Sequence, residues 1–162
     1  EGTARNAAAN GRWEGAALAR NAANNVIFFV NRDQILHYWP EVQPLVKSAL
    51  EHSQGEFDPT DILGYLIAQS MQLWVSIDGQ VNGMAVTQIC TFPRYRSLHI
   101  VLLAGQEAFS GWILEMLRSI EIWAKAMGCV CVTENGRPGW EKAEERLHLG
   151  YKKTYITMSK CL

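Results

Sequence analysis

From residue 26 onward the hydrophobic positions recur with two spacings, and the change from one to the other divides the chain into elements. Val26-Ile-Phe-Phe-Val30 is a short apolar run rich in β-forming residues and closed by Asn31-Arg-Asp33, which predicts a strand. Asp33 can cap a helix from about Gln34 to Leu50, with Ile35, Leu36, Trp39, Val42, Leu45, Val46 and Leu50 as its apolar stripe. Pro40 and Pro44 fall inside that stripe and are expected to kink or divide the helix. Asp58-Pro59-Thr60-Asp61 reads as a second helix start, leading into Ile62-Leu63-Gly-Tyr-Leu66-Ile67.

A β block follows. Gln72-Leu-Trp-Val-Ser-Ile77 ends at Asp78-Gly79, a strong hairpin signal. Val81 to Phe92 continues as a second strand and Ser97 to Ala104 as a third, with Pro93-Arg-Tyr-Arg96 turning between them. Three strands joined by short turns predict an antiparallel meander.

The period becomes helical again from about Ala108 to Met127, where Trp112, Ile113, Met116, Leu117, Ile120, Trp123, Ala124 and Met127 share one face. Gly128 suits a left-handed cap at its end. Cys129-Val-Cys-Val-Thr133 is apolar on both faces, which predicts a central strand covered on each side. A loop over Glu134–Gly139, a short helix from Trp140 to Leu149 and a last strand from Tyr151 to Met158 complete the order. A meander followed by a β–α–β crossover is an α+β arrangement: a mixed, mostly antiparallel sheet with helices on both faces.

Residues 1–25 differ from this body. They hold nine Ala and five Asn, and between Thr3 and Val26 only Trp13 and Leu18 are large and apolar. Such a segment buries too little surface to fold alone. It reads either as a flexible leader or as an arm that orders against a partner. In the second case Trp13 and Leu18 are the anchors, and Arg5, Arg12 and Arg20 the polar contacts. The expected organisation is thus an arm over 1–25 and one domain over 26–162, whose thermal midpoint should hardly change when the arm is removed.

Composition narrows the function. Hydrophobic residues make up 48% of the 162 and charged residues 19%, which excludes a disordered chain, a coiled coil and a collagen-like repeat. A net charge of −1 argues against nucleic-acid binding driven by overall charge. No apolar run approaches the roughly 18 residues needed to span a bilayer. The start has no basic stretch followed by an apolar one, so no signal peptide is expected, and the missing initiator Met suggests a processed or trimmed start. The four Cys (90, 129, 131, 161) lack zinc spacing and read as reduced, buried thiols. The four His (37, 52, 99, 148) are dispersed, so no metal site is expected.

Three stretches carry a resemblance. They are Leu73-Trp-Val-Ser-Ile-Asp-Gly-Gln-Val-Asn-Gly83, Ile120-Glu-Ile-Trp-Ala-Lys-Ala-Met-Gly-Cys129, and Gly136-Arg-Pro-Gly-Trp140 followed by Leu149-Gly-Tyr151. With the element order, they make residues 26–162 resemble the GNAT superfamily of acetyl-CoA-dependent N-acyltransferases. The Gly-Arg-x-Gly-Trp loop is most similar to the branch encoded by tailed bacteriophages. The resemblance implies a GNAT-like sheet and a donor loop of the form Gln/Arg-x-x-Gly-x-Gly/Ala, whose backbone N–H groups cradle the acyl-CoA pyrophosphate.

Here the corresponding stretch is Leu103-Ala-Gly-Gln-Glu-Ala-Phe-Ser-Gly-Trp112, and its two glycines, Gly105 and Gly111, are six apart. If acetyl-CoA binds, the resemblance assigns it to Leu103, Gly105, Gln106, Ser110 and Gly111. Glu107 sets a carboxylate against a polyphosphate, and Phe109 crowds the cradle. The acid Tyr that the family places four residues before the Gly-aromatic pair is Arg146 here, which stays charged. Tyr151 lies on the last predicted strand, and His99 is the best stand-in for the family's general base.

These departures lead to the first expectation. It is a GNAT-fold protein with a degenerate donor loop and no cofactor. It would be made in the bacterial cytoplasm and incorporated in a phage particle, with phage structural proteins as partners through the N-terminal arm. The alternative is an active acetyl-CoA-dependent N-acetyltransferase acting on a lysine, an N-terminus or a small amine by direct transfer.

Overall fold

The computed structural model describes residues 17–20, 25–106, 111–136 and 140–160. Among these residues six strands form one sheet in simple chain order: β1 (Ala17–Arg20), β2 (Val26–Val30), β3 (Gln72–Asp78), β4 (Gln80–Thr91), β5 (Arg96–Gly105) and β6 (Cys129–Glu134). All neighbours are antiparallel except β5 and β6, which run parallel because a helix carries the chain between them. The α+β class and the meander read from the alternation are what the sheet shows.

Helix α1 (Ile35–Leu50) runs unbroken through Pro40 and Pro44. The division expected at the prolines does not occur, because both rings lie on the exposed side of the helix. The carbonyls of residues 36 and 40, which lose their intrahelical donors, are one turn apart on that same wet side. The buried side carries Ile35, Val42 and Val46. Helix α2 (Pro59–Ile67) begins as its sequence dictates. Asp58 Oδ1 accepts from the N–H groups of Thr60 (2.7 Å) and Asp61 (2.9 Å), and Asp61 Oδ2 accepts from Asp58 N–H at 2.9 Å. Both helices pack on one face of the sheet, around Leu73, Val75, Met84 and Val86.

The other face is covered by α3 (Gly111–Ala126), whose buried side holds Trp112, Ile113, Met116, Leu117, Ile120, Trp123 and Ala124. This is the predicted stripe, and Gly128 at φ +80° closes it. Against it lie Ile27, Trp74, Ala85, Leu98 and Ile100. Alternate residues of each central strand therefore feed two separate cores. A short helix, α4 (Trp140–Leu147), follows β6.

Two expectations fail at the C-terminal side. Residues 151–160 form no strand. β6 is consequently an edge and not a covered central strand, with Val130 71% exposed. At the opposite edge, residues 17–20 of the Ala/Asn-rich segment pair with β2. No helix among the described residues is long and apolar enough to cross a membrane.

Candidate active site

The sheet opens where β5 and β6 part. Their parallel ladder runs from Arg96 opposite Cys129 to Ile100 opposite Glu134 and stops there. β5 continues to Gly105, paired on its β4 side alone among the described residues. At the parting point the β4–β5 register slips: Thr87 faces Ile100 and Val86 faces Leu102, so Val101 is an extra residue. Such a bulge bends its strand and increases the local twist. It stands just where the β5–β6 ladder ends. The first residue of α3, Gly111, is exposed, and the loop from β5 leads to it.

His99 stands one residue pair before the end of that ladder. It faces Gln88 on β4 and Thr133 on β6, and its Nδ1 is 3.0 Å from Thr133 Oγ1. The Thr133 hydroxyl donates to Leu98 O at 3.4 Å. With its single hydrogen so placed, Oγ1 accepts from Nδ1–H, and Nε2 is the nitrogen left with a lone pair. Burial lowers the His99 pKa below the ordinary 6.5, which favours the neutral ring. A neutral imidazole with a free Nε2 is suited to take a proton.

The other residues of the expected site fare differently. Leu103 pairs with Ala85 and packs into the α3-side core. A Cβ at Gly105 would collide with Trp112 and come within 2.6 Å of Asn82 O, so this glycine serves close packing. Both backbone groups of Gln106 are engaged: its N–H donates to Asn82 O (2.8 Å), and its carbonyl accepts from Trp112 Nε1 (3.1 Å). With its N–H so committed, Gln106 does not offer it to a phosphate. Ser110 lies outside the described residues, as do Glu107, Phe109, Trp13, Arg5 and Arg12. Leu18 and Arg20 are placed on β1 by their backbone alone. Tyr151 is half-buried just beyond α4 and belongs to no strand, and Arg146 is exposed in the last turn of α4.

Cys131 is exposed, contrary to the expected buried thiols, because β6 is an edge. Cys90 and Cys129 are half-buried free thiols, and burial raises the Cys129 pKa against an opposing effect of Arg96. Among the described residues no three His, Cys, Asp or Glu are grouped to hold a metal ion.

The sequence reading missed two features. Thr133, which orients His99, carries no mark in an apolar strand. The other is the loop register. Counted from Gln106, the pattern places Gly111 on its last glycine and Phe109 on its middle one, so both ends of the motif match.

No family model and no curated protein matches the chain by sequence. Solved structures do match in shape. An aminoglycoside acetyltransferase from an uncultured soil metagenomic sample, crystallised with sisomicin, superposes with a TM-score of 0.67 at 10% identity, over 85% of this chain and 96% of its own. The ribosomal-protein-alanine N-acetyltransferase of Brucella melitensis biovar Abortus gives 0.65 at 11% identity, over 85% and 99%. An aminoglycoside N-acetyltransferase in complex with CoA gives 0.63 at 15% identity, over 85% and 94%. A GNAT family acetyltransferase of Staphylococcus aureus is also similar, at 0.61 and 14% identity, over 85% and 98%. The fold is the GNAT fold.

Proposed function

We propose that this GNAT-fold chain acts as an interaction component of a protein assembly, in keeping with its resemblance to phage-encoded relatives, and that its donor loop is too weak for efficient catalysis. The observation that carries this reading is the Trp112 roof over Gly105, with both backbone groups of Gln106 committed to the fold. Phe109 in place of the middle glycine and Glu107 beside it act in the same direction. The exposed apolar edge on β6 gives such a component a surface to offer.

One observation favours a second reading, an acetyl-CoA-dependent N-acetyltransferase. The β4–β5 register slips at Val101, two residues beyond His99, where burial lowers the ring's pKa and favours its neutral form. When bound, acetyl-CoA would supply the acetyl group, with its arm along residues 101–105. The chain's own contribution would be His99 Nε2, taking the proton that an acceptor amine gives up on attack.

Titration calorimetry with acetyl-CoA separates the two. The first reading expects no binding at about millimolar ligand, a free energy weaker than about −4 kcal/mol. Micromolar binding, with acetyl transfer to a panel of amines that His99→Gln reduces, would establish the second and remove the first.

A further inference from the structure

The ladder between β3 and β4 ends where Gln72 faces Thr87, but β4 runs on to Thr91 before the chain returns as β5. The stretch from Gln88 to Thr91 therefore carries the hairpin roughly 14 Å beyond the last β3 pair. At its tip Phe92 N–H donates to Tyr95 O at 2.9 Å and closes the short loop Pro93-Arg94. The proline ring fixes one backbone dihedral of that loop, so little of the tip is left to be ordered by a ligand.

The tip carries more than a turn requires. Every residue from Thr91 to Arg96 is exposed. The rings of Phe92 and Tyr95 lie 5.0 Å apart at 34°, yet remain 46% and 45% exposed. Their contact with each other staples the turn, but it accounts neither for the ring area left open nor for the cations beside it. Arg94 and Arg96 form no ion pair among the described residues. No acidic residue stands between Asp78 and Glu107. A chain of net charge −1 thus sets two unneutralised guanidinium groups beside two open aromatic rings.

Those two kinds of group select the ligand. Guanidinium groups take carboxylate or phosphate. An acidic peptide would use the arginines and leave the rings idle. The bases of a nucleic acid stack on aromatic side chains while its phosphates pair with arginine, so one ligand engages both. In a duplex the base faces are already stacked on one another, which leaves the single strand.

We propose that the β4–β5 tip, through Phe92, Arg94, Tyr95 and Arg96, binds single-stranded nucleic acid without regard to sequence. The surface lies at the opposite end of β5 from Gly105 and the donor loop, and it holds under either reading of function.

Fluorescence anisotropy of the full chain with a labelled oligo-dT of about ten nucleotides tests it. Binding is expected, with log K falling against log salt at a slope of about −1.4, the value for two phosphates neutralised on a single strand. Tyr95→Ala should weaken binding by about tenfold. Arg94→Gln alters an exposed loop residue, leaves the far-ultraviolet dichroism unchanged and should reduce the slope by about half. Oligo-U is expected to bind as oligo-dT does, since neither a ring face nor a guanidinium reads the sugar. No binding at about 100 µM chain overturns the proposal, as does a slope that Arg94→Gln leaves unchanged or binding of only one of the two strands. A duplex of the same length that binds equally well would remove the role of the rings, and a glutamate peptide that does so would assign the tip to an acidic protein segment. Either result overturns it.

Discussion

His99 Nδ1 and Thr133 Oγ1 meet at 3.0 Å across β5 and β6, one residue pair before the two strands part. The threonine fixes which ring nitrogen is free, and burial favours the neutral ring. In the folded chain His99 binds a proton less readily than in the unfolded chain, where its value is near 6.5. Stability is therefore expected to fall as pH drops from 6.5 through the lowered native value, and to be insensitive to this group above 6.5. His99→Gln should flatten that part of the slope in urea unfolding followed between about pH 5 and pH 8. An unchanged slope would show that His99 does not carry it. Thr133→Val should leave the ring without its partner and shift the Nδ1–H tautomer towards a mixture, visible in nitrogen NMR of the imidazole.

Gly83 and Gly105 both lie under Trp112, but their surroundings differ. The three atoms nearest a Cβ at Gly83 all belong to the indole ring, the closest at 2.7 Å, whereas one at Gly105 would also meet Asn82 O at 2.6 Å. A side chain can move more cheaply than backbone. Gly83→Ala is expected to cost about 1–3 kcal/mol, and Gly105→Ala more. Adding Trp112→Phe should recover part of the loss at Gly83 and less at Gly105, as read from denaturant midpoints of the single and double variants.

The pairing of residues 17–20 with β2 revises the expectation for removing the arm. Deleting residues 1–25 takes away β1 and uncovers the edge of β2, whose Ile27 is fully buried. The thermal midpoint should fall by several degrees, about 2–4 °C for each kcal/mol lost. Deleting only residues 1–16 spares the strand and should cost less. Equal effects from the two deletions would contradict a stabilising β1.

Phe109→Gly restores the middle glycine between Gln106 and Gly111. It is expected to tighten acetyl-CoA binding by at least about tenfold in calorimetry, because a glycine there lets backbone N–H groups approach a phosphate. No change in affinity would locate the defect elsewhere, with Glu107 the next substitution to try.

Much of this architecture was legible in the periodicity. The stripe from Trp112 to Ala124 gave α3 its buried face, and Asp58-Pro59-Thr60-Asp61 marked a cap that forms atom by atom. What escaped depended on contacts between distant segments. Nothing in the apolar run Leu98–Ala104 marks Val101 as the bulged residue, since register is decided jointly with β4. The prolines of α1 were misread because a one-dimensional pattern does not show that both face water. Cys129–Thr133 reads as a buried strand because it is apolar on both faces, and its place at the sheet edge is set by the pairing of other segments. His99 was visible as a candidate, while Thr133 needed the sheet to become its neighbour.

The division of the core by the sheet has an optical consequence. Trp74, Trp112 and Trp123 are all buried on the α3 side, where Trp74 and Trp123 stand nearly perpendicular at 5.6 Å and Phe29 stacks on Trp123 at 5.5 Å. Among the described residues, the half-buried Trp39 is the only tryptophan in the core of the opposite layer, under α1 and α2. Near-ultraviolet dichroism and red-shift of tryptophan emission thus watch one half of the molecule. Undocking of α3 would erase both signals while α1 and α2 still held their helical signature. A difference between the two unfolding curves would reveal that the layers part company before the sheet does.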